Sequence, residues 1–190
     1  MLKPMAIALV HYPVLDRRGD VVTSAVTNLD IHDLARLAKT YNISRYYLVT
    51  PALEQQQLVA RIVHHWREGA GAVYNPDRCE ALDCLRVMNS CDAALDDWQR
   101  MAGEKPLTLL TGANHPNGLS FHEARILAAQ RPLLLVFGTG HGLAPGLHAP
   151  DRLCLAPVRA GQYNHLSVRT AAAIVLDRLL GDTTATAPLP

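Results

Sequence analysis

The chain has 190 residues, enough for one domain with a full core, and 49% of them are hydrophobic against 18% charged. A formal net charge of +1 excludes a strongly basic domain that grips nucleic acid by general attraction, so a polyanion would have to meet a local patch or a surface built from two copies. The apolar run in MLKPMAIALVHYPV is too short for a signal peptide or anchor, no other stretch reaches a spanning length, and the expectation is a cytoplasmic protein without membrane contact.

In chain order, AIALVHY (6–12) predicts a buried strand and DRRGD (16–20) a turn. Asp30 is placed to cap a helix through IHDLARLAKTY, where Ile31, Leu34, Leu37 and Ala38 share a face. RYYLV (45–49) predicts a strand. Thr50-Pro51 has the form of a cap followed by proline at the first helical position, opening a helix through LEQQQLVARIVHHWREG that stops at Gly69 or Gly71. Between Asn75 and Gly103 the pattern is least regular, and both DRCEALDCLRVM and DAALDDWQRMAG suit helices. PLTLLTG (106–112) predicts a strand, and LSFHEARILAAQ carries a capping box of Ser120 and Glu123. LLLVF (133–137) and RLCLAP (152–157) are the last strands. Ser167 or Asn164 opens a closing helix, VRTAAAIVLDRLL, ended by Gly181. Strand–helix alternation predicts an α/β fold, a mostly parallel sheet with helices on both faces, over residues 1–181, with 182–190 as a flexible tail.

The four cysteines, Cys79, Cys84, Cys91 and Cys154, form no C-x-x-C pair and are read as reduced thiols. Their spacing from His64 and His65 fits no structural-zinc pattern, so no metal is expected.

VFGTGHGL (136–143) places three glycines at alternate positions after an apolar run. A dinucleotide fingerprint needs G-x-G-x-x-G early in the chain and a long helix opening at the last glycine, and LAPGLHAP follows instead. The phosphate-loop pattern fails too, because no Lys-Ser/Thr pair comes after the glycines. A plain turn would explain the stretch taken alone. However, TGAN (111–114), GTGHG (138–142) and APVRAGQYNHLS (156–167) each follow a predicted strand at its carboxyl end, where α/β sheets hold ligands. Three such loops offer backbone N–H and C=O groups to a flat ligand such as adenine. They carry little fixed positive charge for a triphosphate.

VFGTGHGL followed by YNHLSVRTAAAIVL resembles the paired C-terminal motifs of the SPOUT superfamily of S-adenosyl-L-methionine-dependent RNA methyltransferases. ALVHYPV and TNLDIHDLAR are similar to one small bacterial branch of it. The resemblance implies a deep trefoil knot in the C-terminal part of the sheet, a cofactor bent within its loops, and a homodimer with the pocket beside the subunit interface. Carried over by position, Thr111 and Gly112 match the first loop, and Gly138, Thr139, Gly140 and Gly142 the second. Leu155 and Pro157 match the edge before the third loop; Leu166, Ser167 and Val168 match the adenine-facing turn. Asn28, Arg36, Asn164 and His165 are the implied residues at the acceptor, an RNA nucleotide of tRNA or rRNA. No counterpart of the aspartate base of the guanine-N1 branch is found, which leaves the target atom open.

Beside the resemblance, His11, His141 and His165 stand as alternative bases or as structural histidines. Arg169, in the first turn of the closing helix, is read as an anion contact or a solvated side chain. Arg17, Arg18, Lys39, Arg45, Arg61, Arg67 and Arg78 are the basic residues that a two-fold dimer would double across a shared groove. Ala171, Ala172, Ala173 and Val175 form a small-residue stripe suited to close packing in such a dimer. Two rival readings are a non-catalytic module binding the cofactor or RNA, and a nucleotide-dependent enzyme on an ordinary doubly wound sheet.

Overall fold

The computed structural model of the protein describes residues 2–181 apart from Pro116 and Ala160, so the tail expected at 182–190 lies outside the described residues. The chain runs β1 (Met5–Val10), β2 (Val14–Leu15), β3 (Val21–Val22), α1 (Asn28–Thr40), β4 (Arg45–Val49), α2 (Leu53–Arg67), α3 (Ala70–Tyr74) and α4 (Pro76–Leu82). It continues through β5 (Leu85–Met88), α5 (Cys91–Ala102), β6 (Leu107–Leu110), α6 (Phe121–Gln130), β7 (Leu133–Gly138), β8 (Arg152–Cys154) and α7 (Val168–Leu180). Six strands make one sheet in the order β5-β4-β1-β7-β6-β8, every neighbouring pair parallel, while β2 and β3 form a small antiparallel hairpin.

The two-residue period of the strands divides the core. Met5, Ile7 and Leu9 of β1, with Leu133, Leu135 and Phe137 of β7, pack under α1, α4, α6 and α7. Ala6, Ala8 and Val10, with Leu134 and Val136, face the opposite side, where α5 lies. The alanines there leave room for Trp98, which is fully buried. The expected parallel sheet covered on both faces is therefore observed, more heavily covered on one face than on the other.

Several local expectations are corrected. Helix α1 starts earlier, with Thr27 as its cap, and Asp30 is the third helical residue, closing a capping box rather than opening the helix. Thr50 is buried and does not cap α2, which starts at Leu53 behind Ala52. That helix ends at Arg67, and a separate short helix, α3, follows it. The helix read through DRCEALDCLRVM stops at Leu82, and its second half is the edge strand β5, paired in register with β4 from Tyr46–Leu85 to Val49–Met88. Pairing with an exposed strand edge outweighs the weak helical preference of four residues. The turn at 16–20 belongs to the β2–β3 hairpin, which the sequence pattern did not suggest. The box at Ser120 and Glu123, the Ser167 cap and the end of α7 at Gly181 are as expected.

The cap of α1 also matters to the site, because it fixes the chain arriving from the sheet. Thr27 Oγ1 accepts from the Asp30 amide at 3.2 Å, and the Asp30 carboxylate accepts from the Thr27 amide at 3.1 Å. Thr27→Ala is expected to cost roughly 0.5–2 kcal/mol, read as a lower urea midpoint with an unchanged slope; an unshifted midpoint would show that the box contributes nothing.

Candidate functional site

At the carboxyl ends of β6, β7 and β8, three loops and the start of α7 enclose a cavity of about 410 Å³, within the range of roughly 300–1,000 Å³ of small-molecule pockets. The loop after β6 is tied to β7, with the Thr111 amide and hydroxyl both donating to Val136 O at 2.9 and 3.0 Å. The loop after β7 is clasped by the hairpin: the Leu15 amide donates to Gly142 O and the His141 amide to Leu15 O, each at 2.9 Å. Gly140 has φ +59° and a Cβ there would stand 2.7 Å from Leu15 O, whereas Gly142, at φ +111°, would meet nothing within 4 Å. The approach that removes the side chain at Gly140 is thus made by the protein's own backbone, and Gly142 is open. After β8, the Leu155 amide donates to Leu110 O and the Ala156 amide to Leu119 O, which seats that strand's exit between the first loop and the sheet.

Thr111, Gly112, Gly138, Thr139, Gly140, Gly142, Leu155, Pro157, Leu166, Ser167 and Val168 all line the cavity, together with Asn164 and His165. Asn164 spends its side-chain amide on Ala113 O at 2.9 Å, bracing the third loop against the first. Asn28 and Arg36 are not among the lining residues; both are exposed, at the first position and in the third turn of α1. Arg169 pairs with Asp33 at 2.8 Å and joins α7 to α1. Of the basic residues assigned to RNA, Lys39 pairs with Glu80, Arg67 pairs with Asp83 and Arg78 lies over the Trp66 ring. Arg17, Arg18 and Arg61 are exposed and have no ion pair among the described residues.

Ala171 and Val175 also line the cavity and were missed as site residues. Their signal was available: Ser167, Ala171 and Val175 follow one another at four-residue steps, which puts them on one helix face. Ala172 and Val175 are buried in the core, so the small-residue stripe is partly consumed inside the chain. Among the lining residues the only ionisable side chains are His141 and His165. Among the described residues, no group of three or more His, Cys, Asp or Glu is arranged to hold a metal, and no helix is long and apolar enough to cross a membrane.

A parallel α/β sheet with a ligand-sized cavity of no fixed charge at its strand ends is the arrangement of a small-molecule-binding α/β protein. The chain belongs to the SAM-dependent RNA methyltransferase family, whose model matches residues 4–181. It is 42% identical over 176 residues to a tRNA (guanine-N(1)-)-methyltransferase of Oleidesulfovibrio alaskensis, covering 92% of this chain but 41% of that protein. It therefore spans about two fifths of the length of that relative. An uncharacterized protein of Aquifex aeolicus is 39% identical over 177 residues, with 91% of this chain and 86% of that one covered. Among solved structures, the SpoU methyltransferase AviRb of Streptomyces viridochromogenes, in complex with AdoMet, has a TM-score of 0.59 at 14% identity, covering 95% of this chain and 58% of that one. That likeness shows a shared fold, the mostly parallel α/β sheet with helices that was expected.

Beneath the glycine loop runs a chain of side chains from buried His11 through half-buried Ser24 and Thr139. Thr139 Oγ1 donates to Val10 O at 3.0 Å and also contacts Ser24 Oγ, which lies 3.0 Å from His11 Nδ1. One consistent direction satisfies every hydroxyl: His11 Nδ1–H donates to Ser24, Ser24 to Thr139, and Thr139 to the Val10 carbonyl. His11 Nε2 is buried and has no hydrogen-bond partner among the described residues. Burial pushes the His11 pKa down, opposed by the Asp30 carboxylate. His32 is lowered by burial and then by Arg78, and His115 by burial and then by His148.

A histidine kept neutral by the fold binds fewer protons than its unfolded counterpart once the pH drops below about 6.5. The unfolded state then binds more protons, so stability is full above that pH and is lost as pH falls toward the folded value. Urea midpoints measured from about pH 7.5 to pH 5 should therefore fall. His11→Asn, whose amide still donates to Ser24, should flatten that fall; an identical pH slope in the variant would show that His11 is not one of the groups responsible.

Proposed function

We propose that the protein binds S-adenosyl-L-methionine in this cavity and transfers its methyl group to a nucleotide of RNA, in tRNA or rRNA, as a cytoplasmic homodimer. Residues 1–181 are proposed to act as one methyltransferase domain. The observation that carries the reading is that every residue the motifs assign to the cofactor converges on one cavity with no fixed charge. Backbone groups of 111–114, 138–142 and 164–168 would hold adenine and ribose, while Phe137, Leu155, Val158 and Val175 offer apolar contact. The same lining has no Lys or Arg to offset the charge of a di- or triphosphate.

The bound cofactor supplies a methyl group already activated on sulfur. The chain's task is then to place the acceptor in line and keep water out. His165 lines the cavity and is exposed, so it is the residue proposed to take a proton where the acceptor must lose one. Asn164 is proposed to position the third loop through its bond to Ala113. Asn28 and Arg36 stand outside the cavity of a single chain, which favours a two-fold pair of chains that brings them to a shared RNA groove. The trefoil knot is part of this proposal, supported by the sheet order: β8 lies at the outer edge, yet α7, which follows it, packs back on β7 and α1. The name of the Oleidesulfovibrio relative belongs to a protein of which this chain spans 41%, so guanine N1 is not assigned as the acceptor.

The test uses tritiated S-adenosylmethionine with RNA extracted from a strain lacking the protein. Label is expected in RNA, and calorimetry should find S-adenosylmethionine bound more tightly than NAD or ATP. Ala171→Leu, which overfills the cavity from a helix that tolerates leucine, should weaken cofactor binding by about ten- to a hundred-fold with little change in melting. Arg36→Ala should lower transfer to RNA more than it lowers cofactor affinity. Tighter binding of NAD or ATP, or label confined to protein or small molecules, would overturn the assignment.

A further inference from the structure

The third loop carries an aromatic side chain that the cofactor reading does not use. Tyr163 is 81% exposed, and its ring stands edge-on to His165 with centroids 5.3 Å apart and planes at 70°. His165 lines the cavity, so the pair steps from the pocket wall out to solvent. The segment presenting it is braced on both sides of the ring: Asn164 and Arg159 both donate to Ala113 O, at 2.9 and 3.3 Å. Beyond it, Ser167 caps α7. The ring is thus exposed on a supported strut.

Large aromatics are scarce in this chain, with two Trp, six Tyr and two Phe, and the fold encloses four of them completely. Trp98, Tyr46, Tyr47 and Phe137 are fully enclosed, and the hydroxyls of Tyr46 and Tyr47 are bonded to Asp30 O and the Asp97 carboxylate. Tyr163 is spent on solvent beside the one cavity whose reaction needs a second, large reactant. That cavity has no fixed charge, and a chain of net charge +1 supplies little general attraction for a polyanion. Stacking on a π-face holds a base without charge and without regard to its identity. Sequence-tolerant contacts of this kind are used on unpaired bases in loops and ends of RNA.

We infer that Tyr163, steadied by the edge of His165, is a stacking platform for an unpaired nucleobase of the RNA at the mouth of the cavity, with exposed Arg159 beside it for a phosphate. The inference rests on the methyl-transfer reading above and adds the acceptor side of the same site. Tyr74 provides a control, because it is 85% exposed but lies on α3, which packs against α2 and α4.

The experiment measures binding and tritium transfer for the full chain with total tRNA and with rRNA from a strain lacking the protein. Tyr163→Ala should raise KM for RNA by about ten-fold or more, leave S-adenosylmethionine affinity unchanged, and keep the slope of log affinity against log salt, because stacking releases no counterions. Tyr163→Trp and Tyr163→Phe should restore KM, and Tyr74→Ala should behave as the parent. The platform is overturned by an unchanged KM in Tyr163→Ala, by phenylalanine failing to restore it, or by lost cofactor affinity. It is equally overturned if light scattering shows that Tyr163→Ala acts by altering the oligomeric state. If the parent protein neither binds nor labels RNA, the methyl-transfer reading itself fails; if the parent labels RNA and only the variants are indistinguishable from it, the platform alone fails.

Discussion

Leu15 exchanges two main-chain hydrogen bonds with the loop after β7, accepting from His141 and donating to Gly142. That exchange requires the backbone of Gly140 to lie where no Cβ fits, with φ at +59° and Leu15 O 2.7 Å from the position a Cβ would take. The rest of the site depends on it. The loop leaves the central strand of the sheet and must turn back at once, so its amides and carbonyls would otherwise collapse onto one another or scatter into water. With the hairpin holding two of them, residues 138–142 line the cavity. The two-residue strands β2 and β3 would be too short to persist alone; here they act as a clamp on a functional loop.

The side chains under the loop serve the same end. Thr139 is tied to Val10 O and through Ser24 to His11, so the segment leaving the hairpin, the end of β1 and the glycine loop are joined by hydroxyls rather than by charges. A neutral network is the appropriate one beside a cavity lacking fixed charge, because a buried ion there would have no partner to offset its desolvation. Burial depresses the His11 pKa, which keeps the network uncharged at neutral pH. Fixed charges are instead paired at the surface of the layer above, where Arg169 ties α7 to Asp33 of α1.

How much of this was legible in the sequence follows from the kind of signal each part leaves. RYYLV and LLLVF are buried on both faces, and such strands read as unbroken apolar runs. Ser120 with Glu123 and Ser167 before VRTAAAIVL are local caps, complete within four residues. β5 was misread because LRVM is an edge strand, stabilised by its register with β4 and not by its own composition. The hairpin clamp was invisible for a similar reason, since its strands have two residues each and the loop that Leu15 holds lies more than a hundred positions on. The three glycine-bearing loops were placed correctly because each follows a strand at its carboxyl end. What approaches them was not foreseeable: Gly118 admits the backbone of Leu155 and Ala156, with atoms 2.6 Å from a notional Cβ, and only tertiary structure brings those segments together. Asn28 and Arg36 came from resemblance alone, and the single chain leaves both outside the cavity.

The absence of charge in the cavity divides the work of recognition. A cofactor bearing adenine can be read by main-chain groups and apolar walls, which cost no compensating ions and tolerate a net charge near zero. An RNA acceptor is a different problem, because phosphate contacts normally supply most of the affinity. In this chain many basic side chains are already engaged: Lys39, Arg67, Arg152 and Arg169 all hold acidic partners. Among the described residues, exposed arginines without an ion pair include Arg17 and Arg18 in the hairpin turn, Arg36 on α1, Arg61 on α2 and Arg159 in the third loop, spread over separate elements. One copy therefore offers scattered cations and a cavity without fixed charge, so affinity for a polyanion would come from a second copy or from contacts that need no charge. The exposed ring of Tyr163 is of the second kind. The two routes are compatible: stacking would select where the RNA is unpaired, and doubled arginines would set how tightly its backbone is held.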